Sequence, residues 1–183
     1  MWPFLYVAGE RLSESELRAA RLDGHVVELG EAFVAADAIE TRELRAASLS
    51  PVTGNGRALT HASAAWVHGA IPSPPPLHSV QRSVARRVGP PHGVRGRYRD
   101  LRLPACDVQR LGGVDVTTPV RTLVDCVREV VAEGASPAVV DALLTWRPAL
   151  RPEALGWLDA SGPVHHKRAA AASLRASQDD VTR

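Results

Sequence analysis

An α+β fold is predicted, with a minimal N-terminal winged-helix segment followed by an α/β domain of several helices and a small, mostly antiparallel sheet. Three observations predict it. Helix starts are marked by caps at Ser13 and at Thr118-Pro119. Between these caps, short β-rich runs are separated by turns bearing Gly and Pro, which number 14 each among 183 residues. Beyond Thr118 the apolar residues fall at helical spacing. With 45% hydrophobic and 23% charged residues, the composition is that of a globular chain able to bury a core, which excludes a fibre or wholesale disorder.

Taken in order, Ser13 and Glu16 form a capping box, in which the hydroxyl and the carboxylate each satisfy a free backbone amide. A helix over 14–22 follows, and Gly24 suits the left-handed residue after it. Residues 25–29 and 32–36 are β-rich around Gly30 and Glu31, which predicts a tight hairpin. Helix followed by hairpin is the back half of a winged helix. Asp37 and Glu40 repeat the capping-box spacing, so a second helix is expected over 38–49, ending before Pro51 and the loop Thr53-Gly54-Asn55-Gly56. Ala58 to Thr60 suit a short strand, with Thr60 capping a helix that stops at Gly69. The run Ile71-Pro-Ser-Pro-Pro-Pro76 is a stiff connector. Residues 77–84 and 94–103 are expected as antiparallel strands, and 114–116 as a third. Thr118 caps a helix carrying Pro119 in its first turn and the apolar stripe Val120, Leu123, Val124, Val127, Val131. Arg121 and Asp125 stand one turn apart on it and can pair. Helices over 137–146, 152–160 and 164–177 complete the chain. The expected division is 1–50 for the winged-helix segment, 57–177 for the larger domain and 178–183 for a frayed tail.

Charge is distributed unevenly although the formal net value is only +2. Residues 1–50 carry five Arg and nine acids, 51–110 nine Arg and two acids, and 111–183 eight basic residues and nine acids. Arg82, Arg86, Arg87, Arg95, Arg97, Arg99 and Arg102 crowd two expected strands and their loop, with Asp100 the only acid among them. Such density attracts phosphate. In a strand, Arg95, Arg97 and Arg99 share one face, with Gly96 and Tyr98 on the other. Of 22 basic residues all but Lys167 are Arg, so genome composition competes with nucleic-acid contact as the explanation. On the first helix the outward line is Glu14, Arg18 and Arg21, which offers two arginines to a DNA groove and two acids, Glu14 and Glu16, that repel phosphate.

Other chemistries lack their residues. There is no nucleophile elbow, Walker loop or dinucleotide-binding glycine pattern. The acid-x-Lys pair of a restriction-type nuclease is missing, because His165 precedes the only lysine by two positions. His61 and His68 lie seven apart on one helix without an obvious third ligand, so no metal or other cofactor is expected. Cys106 and Cys126 are the only cysteines and fit buried thiols in a reducing compartment. No stretch approaches the ~18 uncharged apolar residues of a membrane span, and the start lacks a signal peptide's basic region and cleavage site, so a cytoplasmic protein is expected; because no nucleophile, base and orienter can be placed together, a non-enzymatic one is expected.

Three segments, SESELRAARLDGHVVELGEAFVAAD, RALTHASAAWVHGA and LGGVDVTTPVRTLVDCVRE, resemble the AbiEi-type antitoxins of type IV toxin-antitoxin systems, particularly actinobacterial relatives, over residues 10–175. The most specific parts are the Ser63-Ala-Ala run ending at His68-Gly69, and Gly113-Val, Thr118-Pro, Arg121-Thr and Asp125. The resemblance implies an N-terminal winged helix that binds promoter DNA and represses its own operon, and a larger domain that carries the antitoxin activity. It implies a nucleotidyltransferase-like toxin opposed without an obligatory complex, and a homodimer on inverted repeats. Some relatives continue into an endonuclease domain, which is not carried over to this chain. The alternative is a protein-interaction module without DNA binding, or the remnant of an endonuclease fusion.

Overall fold

The computed structural model describes residues 4–90 and 96–179, with side chains as far as Ala176. The α+β class is as expected. Two compact units divide the chain, the first comprising Met1–Leu59 and Pro76–Val116, the second Thr60–Pro75 and Thr117–Arg183.

The first unit begins with β1 (Leu5–Tyr6), α1 (Glu14–Leu22), β2 (Val26–Leu29) and β3 (Ala32–Ala35). The Ser13 box forms as expected: the Glu16 amide donates to Ser13 Oγ at 3.3 Å, and the Ser13 amide to Glu16 Oε2 at 2.7 Å. At its other end α1 closes in a Schellman motif, with the Gly24 amide on the Arg21 carbonyl and the His25 amide on that of Ala20, and Gly24 at φ +77°. Only Leu17 of α1 is buried, so about 2 kcal/mol of apolar burial anchors the helix. The hairpin pairs β2 with β3, and the unanticipated β1 adds to the far side of β3, giving the antiparallel order β1-β3-β2.

The capping box expected at Asp37 does not form. Thr41 is the cap instead, its Oγ1 accepting from the Leu44 amide at 3.1 Å, and α2 runs Arg42–Ser48. Glu40 remains outside the helix, where it pairs with Arg45. Pro51 lies in the first turn of a separate short helix, α3 (Ser50–Thr53).

A five-stranded mixed sheet completes this unit: β4 (Arg57–Leu59), β5 (His78–Arg82), β6 (Gly96–Arg99), β7 (Val108–Leu111) and β8 (Val114–Thr117), in the order β6-β5-β4-β8-β7. The expected antiparallel pairing of the two arginine-bearing strands is corrected: β6 runs parallel to β5, with His78 opposite Gly96 and Gln81 opposite Arg99. A connection as long as residues 83–95 lets the chain return to the starting end before pairing, where a tight turn would have reversed it. Gly112 and Gly113, at φ +55° and +85°, join β7 to β8 in the manner of a type I′ turn. A Cβ on Gly112 would lie 2.1 Å from the Glu43 carbonyl oxygen, so the turn sits directly against the backbone of α2.

The second unit is helical: α4 (His61–His68), α5 (Pro119–Glu133), α6 (Ala138–Trp146), α7 (Leu150–Ala160) and α8 (Lys167–Asp179). Thr60 precedes α4 without capping it; its hydroxyl pairs with His61 Nδ1 at 2.9 Å, and His61 has φ +51°. Gly69, at φ +90°, ends α4 as expected. Thr118 Oγ1 accepts from the Arg121 amide at 3.3 Å, and Leu123, Val124 and Val127 of the α5 stripe enter a core with Leu143, Leu150, Leu158 and Leu174. α8 begins at Lys167 rather than Val164 because His166 has φ +59°, outside the right-handed helical region. No helix among the described residues is long and apolar enough to cross a membrane.

Candidate nucleic-acid interface

Neighbouring strands place Arg57 on β4 opposite Arg82 on β5, with Tyr98 of β6 opposite Val80. These three side chains fasten the segment 83–90. Arg82 donates from Nη1 to the carbonyls of Val84 and Ala85 at 3.0 and 2.9 Å, and from Nε to Asp100 Oδ1 at 2.9 Å. The Tyr98 hydroxyl donates to the Val88 carbonyl. Arg57 reaches Gly89 through Nε and Nη2 at 2.9 and 2.6 Å, and Pro90 through Nη2 at 3.3 Å, while Nη1 holds Thr53 at 2.9 Å. Arg57 also lies over the Tyr98 ring, 5.9 Å from its centroid. Gly56, at φ +88°, admits the loop against the sheet, because a Cβ there would meet Val84 Cγ2 at 2.7 Å.

The loop thus directs five carbonyls to internal donors and leaves Arg86 and Arg87 exposed. Arg86 has no polar partner among the described residues. Arg87 is 89% exposed, its Nε 3.7 Å from Asp100. Arg97 is exposed on β6 and Arg99 half-buried, both on one strand face, while Arg95 lies outside the described residues. Arg82 is 14% exposed and is committed to the loop and Asp100. The Tyr98 hydroxyl titrates above its ordinary range, first because of burial and then because the Asp100 carboxylate accepts its proton at 3.1 Å. On α1, Arg18 pairs with Glu14 at 2.5 Å and Arg21 with Glu28 at 3.3 Å, all four side chains being more than half exposed.

The loop-fastening roles of Arg57 and Tyr98 escaped the sequence reading. Tyr98 interrupts a run of arginines, which was a usable hint. Arg57 offers none, since its bonds to Gly89 and Pro90 span more than thirty positions.

In the second unit the two most specific sequence motifs converge. His68 Nε2 donates to the Thr117 carbonyl at 2.8 Å, Thr117 and Thr122 share a hydroxyl bond of 2.8 Å, and the His68 ring stacks on Trp146 at 6.3 Å between centroids. Arg121 Nε meets Asp125 Oδ2 at 2.9 Å, and Arg128 Nη1 meets Oδ1 at 3.0 Å. The Arg121 guanidinium also lies 5.1 Å from the centre of the Trp157 ring. Asp125 thus takes one arginine on each carboxylate oxygen, and Arg128 also donates from Nε to the His165 carbonyl at 2.8 Å. Among the described residues, no group of three or more His, Cys, Asp or Glu side chains could hold a metal ion.

No curated protein matches the chain. A solved structure, the crystal structure of RV2827C protein from Mycobacterium tuberculosis, is similar at 20% identity and a TM-score of 0.35, covering 93% of this chain and 76% of that one. Residues 56–176 match the model of the AbiEi antitoxin C-terminal domain, a span that includes the fastened loop, the arginine strand and both converging motifs. By that match over more than half its length, the chain belongs to the AbiEi antitoxin family.

Proposed function

We propose that this antitoxin-family chain is also a DNA-binding autorepressor of a type IV toxin-antitoxin operon, acting without an enzymatic step. The observation that carries the reading is the fastened loop: five of its carbonyls are held by internal donors, and Arg86 and Arg87 are exposed between those anchor points. Arg97, exposed on β6, extends the basic surface, Arg95 and Arg99 are further candidates for phosphate, and contacts of this kind neutralise phosphates rather than read bases. Arg18 and Arg21 on α1 supply the groove contacts, and Arg82 serves by shaping the loop. A helix followed by a hairpin at 14–35 is the element order that a winged helix uses for DNA. The partners are double-stranded DNA of its own promoter, bound as a homodimer on inverted repeats, and a nucleotidyltransferase-like toxin opposed without an obligatory complex.

A second reading, a protein-interaction module, is favoured by one observation. Phe4 and Ile39 are 59% and 84% exposed around an apolar groove also lined by Leu44.

The deciding experiment is fluorescence anisotropy over a salt series, with the duplex upstream of the protein's own gene and a scrambled duplex. With about six phosphates neutralised, log affinity falls against log salt with a slope of about −5. Preference for the upstream duplex at ~150 mM salt, tighter than the roughly micromolar level of non-specific binding, supports the regulator. Equal or absent binding overturns it in favour of the interaction module.

A further inference from the structure

We infer that Tyr98 and Arg57 are positioning residues for DNA: they hold the segment 83–90 in the shape that presents Arg86 and Arg87 to the phosphate backbone, without touching the nucleic acid themselves. This rests on the DNA-binding reading above and adds to it two residues and a division of labour. The arginines of this region fall into two sets. Arg57 and Arg82 direct their guanidinium groups at carbonyls, Arg57 at Thr53, Gly89 and Pro90, and Arg82 at Val84, Ala85 and Asp100. Arg86 and Arg87 project from the loop between those anchor points and are exposed.

Ordering a flexible loop costs conformational free energy at the moment of binding. Here it is met on folding, because anchors at Val84, Ala85, Val88, Gly89 and Pro90 bracket the two arginines on both sides. The Tyr98 hydroxyl is well suited to this. Its one proton is shared between the Val88 carbonyl and Asp100 Oδ1, which ties the loop to the strand that carries Tyr98. Arg57 needs its planar fork, since Nε and Nη2 both reach Gly89 while Nη1 holds Thr53. A lysine retains the charge and cannot reproduce those bonds.

The test uses the full chain with Tyr98→Phe, Arg57→Lys and the pair Arg86→Ala with Arg87→Ala. Two quantities are read: the rate of tryptic cleavage after Arg86 and Arg87 in the free protein, and the affinity for the upstream duplex across salt. Loss of one net hydrogen bond corresponds to a change of about fivefold, so cleavage accelerates and binding weakens by roughly that factor in Tyr98→Phe, and by at least as much in Arg57→Lys. Their salt slopes stay that of the wild type, because no contacting charge is lost. The alanine pair instead flattens the slope by about 2. Circular dichroism of each variant confirms that the sheet is kept.

Wild-type cleavage and binding in Tyr98→Phe and Arg57→Lys overturn the positioning role, as does faster cleavage with unchanged affinity. Full binding by Arg57→Lys alone makes Arg57 a direct phosphate contact and overturns its part of the inference. A wild-type protein that binds no DNA defeats the proposed function itself, an outcome separate from the behaviour of the variants.

Discussion

Arg87 and Arg121 each face an aspartate, Arg87 at 3.7 Å from Asp100 and Arg121 at 2.9 Å from Asp125, yet their side chains are 89% and 6% exposed. The difference separates the sheet region from the helical unit. An exposed pair is screened by water and salt and contributes about 0 to 1 kcal/mol, so Arg87 can exchange its carboxylate for a phosphate at little cost. The buried pair has no such exchange open to it. Asp125 holds two arginines, and removing it leaves uncompensated charge where water does not reach. The residue type and its partner are the same in both places, and burial and close pairing commit Arg121 to the fold while Arg87 stays open to water.

The strongest way to break this comparison is Asp125→Ala. It is expected to cost about 3 to 5 kcal/mol by urea denaturation, against no more than about 0.5 kcal/mol for Arg87→Ala. Similar losses in the two variants would remove the distinction. A smaller effect concerns α1, where Glu14 and Glu28 pair with Arg18 and Arg21, the arginines proposed to contact DNA. Glu14→Gln combined with Glu28→Gln should tighten binding about two- to fivefold at low salt, the two exposed pairs together contributing about 0.4 to 1 kcal/mol. Weaker binding would show that these carboxylates orient the arginines instead.

The smallest effect is a pH dependence at His78, a buried histidine whose Nε2 lies 3.4 Å from Glu31. Burial holds its pKa below the ordinary histidine value of 6.5, and the Glu31 carboxylate partly opposes that. The unfolded chain therefore takes up this proton first as pH falls, so stability is full above about 6.5 and is lost below it. Glu31→Gln removes the opposing carboxylate and should steepen the loss between pH 7 and 5.5, read from urea midpoints. An identical pH profile in that variant would refute the account.

Elements governed by local chemistry were legible in advance. The Ser13 box, Gly24, the hairpin at Gly30, the Thr118-Pro119 start and the Arg121 to Asp125 pair all depend on residues within a turn of one another. What failed was governed from a distance or by competition between equal local choices. Asp37 and Thr41 both have capping chemistry, and Thr41 prevails, with Glu40 drawn to Arg45 instead of completing a box. β1 has two residues, and β7 contains Gln109 and Arg110, so neither carries a β-rich pattern. The parallel course of β6 depends on where the long connection 83–95 returns the chain, which no spacing encodes. The same holds for the candidate site. The density of arginines was evident, but which of them staple the loop and which are exposed follows from strand neighbours far apart in sequence.

The division of the helical unit between Thr60–Pro75 and Thr117–Arg183 bears on synthesis. As the chain leaves the ribosome, α4 emerges well before α5, the helix it packs against, and β4 before its parallel neighbour β8. Until that later stretch is translated, Trp66, 1% exposed in the finished protein, and Val67 beside it lack their partners and stay open to chaperones and proteases. A message cut short between the proline run and Thr118 therefore lacks α5 and the helices after it, and with them most of the helical core.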